Sequence, residues 1–345
     1  MYKIAIAGAS TLVGRELKEA LSESPLAASN FKLLDEDDLQ GQLDQVGDEV
    51  TFVQAIAPDA FERIDFTFFC GSENLTRKHW RDALRAGSTV LDLSGALDQE
   101  KGVVVRAPWL GLETDAVDLF TPAVVPAHPA ALALALLLER LRQAAPVHSA
   151  FATLLLPASE FGRAALDELH QQTVSLLSFQ GPPQQLYDTQ AAYNLLAGLG
   201  EAAKVSLAAV EARVRRHYAA LSQGRWPALG LQVAHAPVFH GHTFSIAIEL
   251  DHPVEIAVLE EALSGGHVDL VLEDTDSPSN LAVTGQNDVL VRLRPENDPA
   301  HGTRNSSLVS RFWLWAASDN LRIQAQNAVD CALDLRRLRP QGTVQ

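Results

Sequence analysis

The pattern of apolar and polar positions divides the chain into two regions of different character. In the first region, short apolar runs predict strands at 3–7, 31–34, 51–55, 64–70 and 88–93. Between them, helical spacing predicts helices at 15–21 and 76–86. Alternation of strands and helices, with strands that are apolar on both faces, is typical of a parallel sheet covered by helices on both sides. We therefore predict a Rossmann-type, doubly wound first domain over 1–127, with a C-terminal helix at 321–340 packing back onto it.

The second region, 128–320, predicts a different arrangement. Pro129 suits the first turn of a helix at 130–143, which is apolar nearly all round and should be buried. A strand, two helices and then four strands follow, which indicates an α+β domain with a largely antiparallel sheet. The predicted elements are a strand at 149–156, helices at 162–177 and 201–221, and strands at 232–238, 243–250, 289–293 and 308–317, the last two joined by 295–307.

Composition narrows the classes of function. The chain has 345 residues and a net charge of −16, from 43 acidic and 27 basic residues. This charge disfavours nucleic acid and anionic membranes as partners. Only two cysteines are present, and the longest apolar run, 130–138, is about half a membrane span. With no signal-peptide pattern at the N-terminus, a cytoplasmic protein that does not enter a membrane is expected.

The first strand leads into a glycine turn, GASTLVG at 8–14, which opens a helix. In such a turn Gly8 permits a tight bend, and backbone N–H groups at the start of the helix can bind a pyrophosphate. Thr11 stands where the middle glycine usually does, and its Cβ narrows the space for phosphate. A nucleotide-binding fold with an empty pocket is the alternative. The predicted cofactor-binding residues here are Gly8, Ser10, Thr11, Leu12, Val13 and Gly14.

An acidic segment lies at the end of the second predicted strand. Asp35 stands about 20 residues beyond the glycine turn, where dinucleotide-binding domains place the carboxylate that binds the ribose hydroxyls. Glu36, Asp37 and Asp38 add negative charge that would repel a 2′-phosphate. NAD is therefore possible as a cofactor and NADP is disfavoured. The alternative is a solvated acidic loop.

Six segments stand in a characteristic order along the chain: GASTLVG (8–14), DLSGA (92–96), GRAALDEL (162–169), YNLL (193–196), APVFHGH (236–242) and SDNLR (318–322). Together they resemble the aspartate-semialdehyde dehydrogenase family over essentially the whole chain. The resemblance implies the reduction of an aspartyl phosphate to the semialdehyde with NADPH, through a cysteine thioester. It also implies a second domain for substrate binding and dimerisation, and hence a homodimer.

The nucleophile that the resemblance implies is absent from its position. Thioester chemistry needs a thiolate, which a helix N-terminus stabilises. The family carries this cysteine in an Asn-Cys segment at the start of the buried helix, where the present sequence has His128-Pro129. Cys70 and Cys331 lie far from this position in the sequence and are expected to be core thiols.

Other positions implied by the resemblance also differ. Where the resemblance implies a substrate-binding Gln, this sequence has Leu156. Near the position of an implied phosphate-binding Arg it has Asp98, and at the position of a further implied Arg it has His235. Ser159 and Asn320 correspond to cofactor-binding positions.

His242 alone corresponds to a central catalytic group, the acid/base histidine. A structural histidine is the alternative role. His235 and His240 could complete a three-histidine metal site with it, but no carboxylate or cysteine has convincing ligand spacing, so no metal is predicted.

Two hypotheses follow. In the first, the chain is a non-catalytic paralogue, a pseudoenzyme that keeps the fold, the homodimer and possible nucleotide binding. In the second, it is an active NAD(P)-dependent oxidoreductase on a different carbonyl substrate, with His242 as the acid/base. A short-chain dehydrogenase is excluded because no Tyr has a Lys four residues later, and a serine hydrolase because no Gly-x-Ser-x-Gly segment occurs.

Overall fold

The computed structural model describes residues 2–36, 41–47, 49–112, 117–118, 120–272, 276–296 and 308–338. These residues form two compact units. The first comprises Met1–Ala127 and Gln324–Gln345, and the second comprises His128–Ile323. Across the described ranges, no helix is both long and apolar enough to cross a membrane.

The first unit is built on a seven-stranded sheet in the order β5-β2-β1-β6-β7-β9-β8, in which every neighbouring pair is parallel. The strand order reverses between β1 and β6, which is the arrangement of a doubly wound fold. This confirms the predicted Rossmann-type architecture. The elements are β1 (Lys3–Ala7), α1 (Leu12–Ser22), β2 (Asn30–Asp35), β3 (Leu43–Val46), β4 (Glu49–Phe52), β5 (Gln54–Ala55), β6 (Phe66–Phe69), α2 (Glu73–Arg85), β7 (Thr89–Asp92), β8 (Val104–Arg106) and β9 (Val124–Pro126).

The second unit contains a six-stranded mixed sheet in the order β11-β10-β12-β15-β14-β13. Three of its pairs are antiparallel and two are parallel, so the predicted α+β architecture is confirmed. The elements, with the final helix that continues into the first unit, are α3 (Pro129–Ala144), β10 (Val147–Leu156), α4 (Arg163–Leu177), α5 (Leu207–Ser222), β11 (Leu229–His235), β12 (His242–Glu255), α6 (Ile256–Leu263), β13 (Val268–Leu270), β14 (Val289–Pro295), β15 (Leu308–Ser318) and α7 (Asn320–Leu335).

Strand β1 shows why the first sheet is covered on both faces. Its side chains alternate, so that Ile4 and Ile6 point to one side and Ala5 and Ala7 to the other. Ile4 and Ile6 pack with residues of α1 and α7, whereas the two alanines pack with residues of α2. Complete burial of a side chain such as Ile6 stabilises the fold by roughly 2 kcal/mol.

In the second unit the apolar helix α3 is buried along its first ten residues, as its composition predicts. It contacts α5, α6 and β10. The strands of the sheet bury alternate residues, for example Ala150, Ile246 and Leu314. Their other residues form a second face that is partly exposed.

Some predicted elements begin or end elsewhere. The helix predicted at 201–221 begins only at Leu207, because the Ser206 hydroxyl caps it and Asp188 accepts the Ala202 N–H in a turn. The strand predicted at 232–238 lies at 229–235. The strand predicted at 51–55 is divided between β4, in a separate hairpin, and β5, at the edge of the main sheet. Most of the connection predicted at 295–307, and the end of the C-terminal helix beyond 338, lie outside the described residues.

Candidate functional site

The glycine turn between β1 and α1 is closed by Thr11. Its side-chain oxygen accepts a hydrogen bond from Gly14 N (3.0 Å) and caps α1, while its hydroxyl lies 2.8 Å from Gly8 O and 2.9 Å from Cys70 O, both acceptors. The hydroxyl therefore holds the turn together and is not directed to a phosphate. Within the described residues, no acceptor is found for the N–H groups of Leu12 and Val13 in the first turn of α1. These are the donors that an anion at this helix N-terminus would use.

Both glycines are required by close packing. Gly8 has φ +87°, and a Cβ on it would lie 2.3 Å from Gly71 N. A Cβ on Gly14 would lie 2.3 Å from Gly8 O. Separations this short are not compatible with a side chain, so only glycine allows β1, α1 and the end of β6 to approach as they do.

Asp35 lies beside this turn at the end of β2. Its carboxylate accepts hydrogen bonds from Ser10 N (2.9 Å) and from Glu36 N (3.0 Å). Asp35 and the exposed Glu36 line a pocket of about 270 Å³. The pocket lies at the carboxyl ends of the strands, where doubly wound folds bind dinucleotides. Asp37 and Asp38 lie outside the described residues.

A second polar cluster lies in the second unit, at the N-terminus of α3. His128 caps this helix: its Nδ1 accepts the N–H of Ala130 (3.2 Å), so the ring proton is on Nε2. That Nε2–H donates to Glu160 Oε1 (2.8 Å), and His242 Nε2 lies 2.9 Å from Glu160 Oε2. The two rings are stacked with centroids 5.9 Å apart. We call His128, Glu160 and His242 the His–Glu–His cluster.

The cluster is largely buried and contains an ionised carboxylate. Burial alone would raise the pKa of Glu160, but its interactions with His128 and His242 hold that pKa well below the usual range. Burial lowers the pKa of His128 to about 4, although Glu160 opposes this shift. At neutral pH the carboxylate is therefore ionised and His128 is neutral. His242 is fully buried, and no described residue bonds its Nδ1.

The first turn of α3 contains no thiol. Pro129 is its first residue and is buried, and Ala130 and Ala131 follow. Cys70 lies at the end of β6 and Cys331 in α7, and both side chains are buried. Burial, more than any neighbouring charge, raises the pKa of each of these thiols far above its ordinary value, so neither forms a thiolate near neutral pH.

Three further predicted residues of the second unit, Ser159, His235 and Asn320, are buried. Ser159 Oγ and Gly241 N each donate to Asn320 Oδ1 at 3.1 Å, which joins the two predicted cofactor positions, Ser159 and Asn320. His235 is buried against the ring of Tyr187.

His240 precedes β12, which begins at His242, so the regular strand that would align these two side chains is not present. Over the described ranges, no group of three His, Cys, Asp or Glu side chains is arranged to hold a metal ion.

Sequence reasoning missed His128 and Glu160 as members of the site. They are 32 residues apart and follow no periodic pattern. The only local signal was a residue with a side-chain acceptor directly before Pro129, which is the usual position of a helix cap.

Two family models match the chain. "Semialdehyde dehydrogenase, NAD binding domain" matches residues 3–129, and "Semialdehyde dehydrogenase, dimerisation domain" matches residues 138–323. The chain belongs to the semialdehyde dehydrogenase family. This bears out the resemblance found in the sequence. The first unit therefore carries an NAD(P)-binding domain and the second a dimerisation domain of this family.

Relatives within the family extend over almost the whole chain. A USG-1 protein homolog from Azotobacter vinelandii is 28% identical over 95% of this chain and 96% of its own length. An aspartate-semialdehyde dehydrogenase from Rickettsia conorii is 25% identical over 97% of both chains.

Solved structures give the same picture of the fold. A probable aspartate-semialdehyde dehydrogenase from Pseudomonas aeruginosa has a TM-score of 0.82 and 26% identity, covering 97% of this chain and 98% of that one. Aspartate semialdehyde dehydrogenase II from Vibrio cholerae has a TM-score of 0.83 and 21% identity, covering 98% of this chain and 99% of that one, and supports the fold alone.

Proposed function

We propose that this chain is a dimeric, dinucleotide-binding member of the semialdehyde dehydrogenase family that does not carry out the thioester chemistry of aspartate-semialdehyde dehydrogenases. The observation that carries the proposal is the first turn of α3, where Pro129 follows His128 and no thiol is present. A proline has no nucleophilic group. The two cysteines of the chain are core residues with raised pKa values and do not replace it.

We further propose that nucleotide binding belongs to the first unit, at the glycine turn with Gly8, Ser10, Thr11, Leu12, Val13, Gly14 and Asp35. Two carboxylates, Asp35 and Glu36, and one ammonium group, that of Lys78, line the pocket, and the excess of negative charge favours NAD over the 2′-phosphate of NADP. The free N–H groups of Leu12 and Val13 support pyrophosphate binding. Ser159 and Asn320 are proposed as further cofactor positions in the second unit.

The activity test uses the purified protein with aspartate semialdehyde, phosphate and either NAD or NADP. We expect no turnover, and robust turnover by pure protein would refute the proposal. The Pro129→Cys variant is a second test. It should remain inactive, because Leu156, Asp98 and His235 stand where the resemblance implies groups that bind substrate and phosphate.

Cofactor binding is tested separately by thermal unfolding with NAD, with NADP and without ligand. A ligand that binds only the folded state raises the free energy of unfolding by about 1.4 kcal/mol at ten times its dissociation constant. We expect NAD to raise the unfolding temperature by a few degrees and NADP to raise it less. An equal or larger effect of NADP would contradict the assigned preference.

A second candidate function is an NAD(P)-dependent oxidoreductase acting on another carbonyl compound. The observation in its favour is that Glu160 orients His242 through Nε2, while no described residue bonds the other ring nitrogen, Nδ1. The complete burial of His242 weighs against this candidate. Calorimetric titration decides part of the question: if neither NAD(H) nor NADP(H) binds at millimolar concentration, this second function is excluded.

A further inference from the structure

Two polar side chains lie opposite each other on adjacent strands of the second unit. His242 is the first residue of β12 and Ser318 is the last residue of β15, and the antiparallel register pairs them directly. Paired residues direct their side chains to the same face of a sheet, with Cβ atoms about 5 Å apart. Both side chains are fully buried. His242 and Ser318 are therefore neighbours in the interior of this unit.

Each of these two side chains carries a polar atom without a hydrogen bond. Within the part of the chain that the structure describes, neither His242 Nδ1 nor Ser318 Oγ has a partner. Buried polar groups in native proteins are nearly always bonded, either to the protein or to an ordered water, because an unmet hydrogen bond is costly in an interior of low polarity. The two atoms lie close enough for one small molecule to satisfy both.

The side chains around His242 do not offer Nδ1 a hydrogen bond. Leu156, at the end of the neighbouring strand β10, is apolar and buried, and the ring of Phe244 lies edge-on to the imidazole with centroids 6.0 Å apart. Glu160 lies 2.9 Å from the other ring nitrogen, Nε2. The cross-strand hydroxyl of Ser318 is therefore the polar group best placed to act on Nδ1.

Water fits both the separation and the chemistry of this pair. A molecule that makes two hydrogen bonds of about 2.8 Å bridges atoms up to roughly 5 Å apart. Because Nε2 faces the ionised carboxylate of Glu160, it carries a hydrogen, so Nδ1 is an acceptor in the neutral ring and a donor in the imidazolium. Water and the Ser318 hydroxyl can each donate or accept, and the bridge therefore suits either charge of the ring.

We propose that one water molecule is bound inside the second unit, where it bridges His242 Nδ1 and Ser318 Oγ. Ser318 is then a positioning residue, which holds the His242 ring through the water while Glu160 holds it through Nε2. The site does not depend on whether the chain is catalytic. In the second candidate function, however, a substrate that exchanges a proton with Nδ1 must first displace this water.

The first test is a crystal structure of the wild-type protein at a resolution that shows ordered water, with the Ser318→Ala variant alongside. We expect density for a water within about 3.2 Å of both His242 Nδ1 and Ser318 Oγ. In Ser318→Ala the occupancy of this water should fall by at least half. A direct bond between the two side chains, a protein partner for Nδ1, or no density between them would overturn the proposal. An unchanged water in Ser318→Ala would remove Ser318 from the site.

The second test asks whether the two residues are energetically coupled, using urea unfolding at constant protein concentration. Ser318→Ala should raise the equilibrium constant for unfolding about fivefold, and in a His242→Phe background it should change that constant less than about twofold. Ser245→Ala is the matched control, because Ser245 lies on the other face of β12 and is partly exposed; its effect should be the same in both backgrounds.

The outcomes distinguish this site from the proposed function. An equal effect of Ser318→Ala in both backgrounds would show that no bridge couples Ser318 to His242. If His242→Phe does not fold, the density in wild type and in Ser318→Ala decides the question. Turnover of aspartate semialdehyde would refute the proposed function and leave the expected density unchanged.

Discussion

The buried imidazole of His235 provides a quantitative test of the electrostatics of the second unit. His235 ends β11, is fully buried, and has its ring 4.9 Å from that of Tyr187. Burial lowers the pKa of His235 to about 4, and the Leu156 carbonyl offsets only part of this shift. In the unfolded chain the pKa of a histidine is about 6.5.

The sign and size of the effect follow from these two values. Between pH 6.5 and pH 4 the unfolded chain binds one proton that the folded chain does not. The free energy of unfolding therefore falls by about 1.4 kcal/mol for each pH unit as the pH falls through this range. Above pH 6.5 this contribution to stability is fully present. At pH 5, about 2 kcal/mol of it has been lost.

The perturbation is His235→Phe, which keeps an aromatic ring against Tyr187 and removes the titrating group from both states. The assay is urea unfolding followed by tryptophan fluorescence at pH 8, 7, 6 and 5, at constant protein concentration. Any change in packing is independent of pH and cancels in the comparison. We expect the stability of the variant relative to wild type to rise by about 2 kcal/mol between pH 8 and pH 5.

A control and a refuting result complete the test. Val258→Ala changes an exposed aliphatic side chain and removes no titrating group from either state, so its stability difference from wild type should not depend on pH. If the difference for His235→Phe is also constant within about 0.5 kcal/mol, the burial of a neutral His235 is refuted.

Three further outcomes are expected. Glu160→Gln should lower the free energy of unfolding at pH 8 by about 2–4 kcal/mol, because two buried imidazole N–H groups lose a charged acceptor; unchanged urea unfolding would contradict this. Glu36→Lys should improve the affinity for NADP relative to NAD about tenfold in calorimetric titrations, and an unchanged ratio would remove Glu36 from the cofactor pocket. Gly14→Ala should lower the free energy of unfolding by about 3 kcal/mol or more, measured by heat or urea, because the added Cβ would overlap Gly8 O. The matched control is Gly198→Ala, whose Cβ would contact nothing, and it should lower the free energy of unfolding by less than about 1 kcal/mol.

The fold could be predicted because its signals are local and repeated. Strands such as β1 are continuous apolar runs, and α3 is apolar on all sides. The burial of each can therefore be predicted from its own sequence, without knowing which elements pack against it. Strand β3 was missed for the opposite reason, and only part of β4 falls within the strand predicted at 51–55. Leu43 and Phe52 pair in this hairpin but are largely exposed, and among the residues of β3 only Val46 is buried.

The site could be predicted only in part. The glycine turn could be predicted because the need for each glycine is steric and local. The role of Thr11 could not be predicted, because its hydroxyl bonds Cys70 O, which is 59 residues away in the sequence. Glu160 was missed because its function depends on two histidines brought together by tertiary structure. A sequence shows which residues are ionisable, whereas the pairing of a carboxylate with particular imidazoles is a property of the folded unit.

If position 129 is that of the family's nucleophile, as proposed, the His–Glu–His cluster makes the change there more than one substitution. A helix N-terminus lowers a thiol pKa because its unsatisfied N–H groups favour a negative charge. At α3 that end is already capped by His128, whose ring binds the ionised Glu160. A thiol introduced at position 129 would therefore meet a nearby negative charge, which raises its pKa and opposes thiolate formation. This electrostatic environment supports the proposal that position 129 does not take part in thioester chemistry.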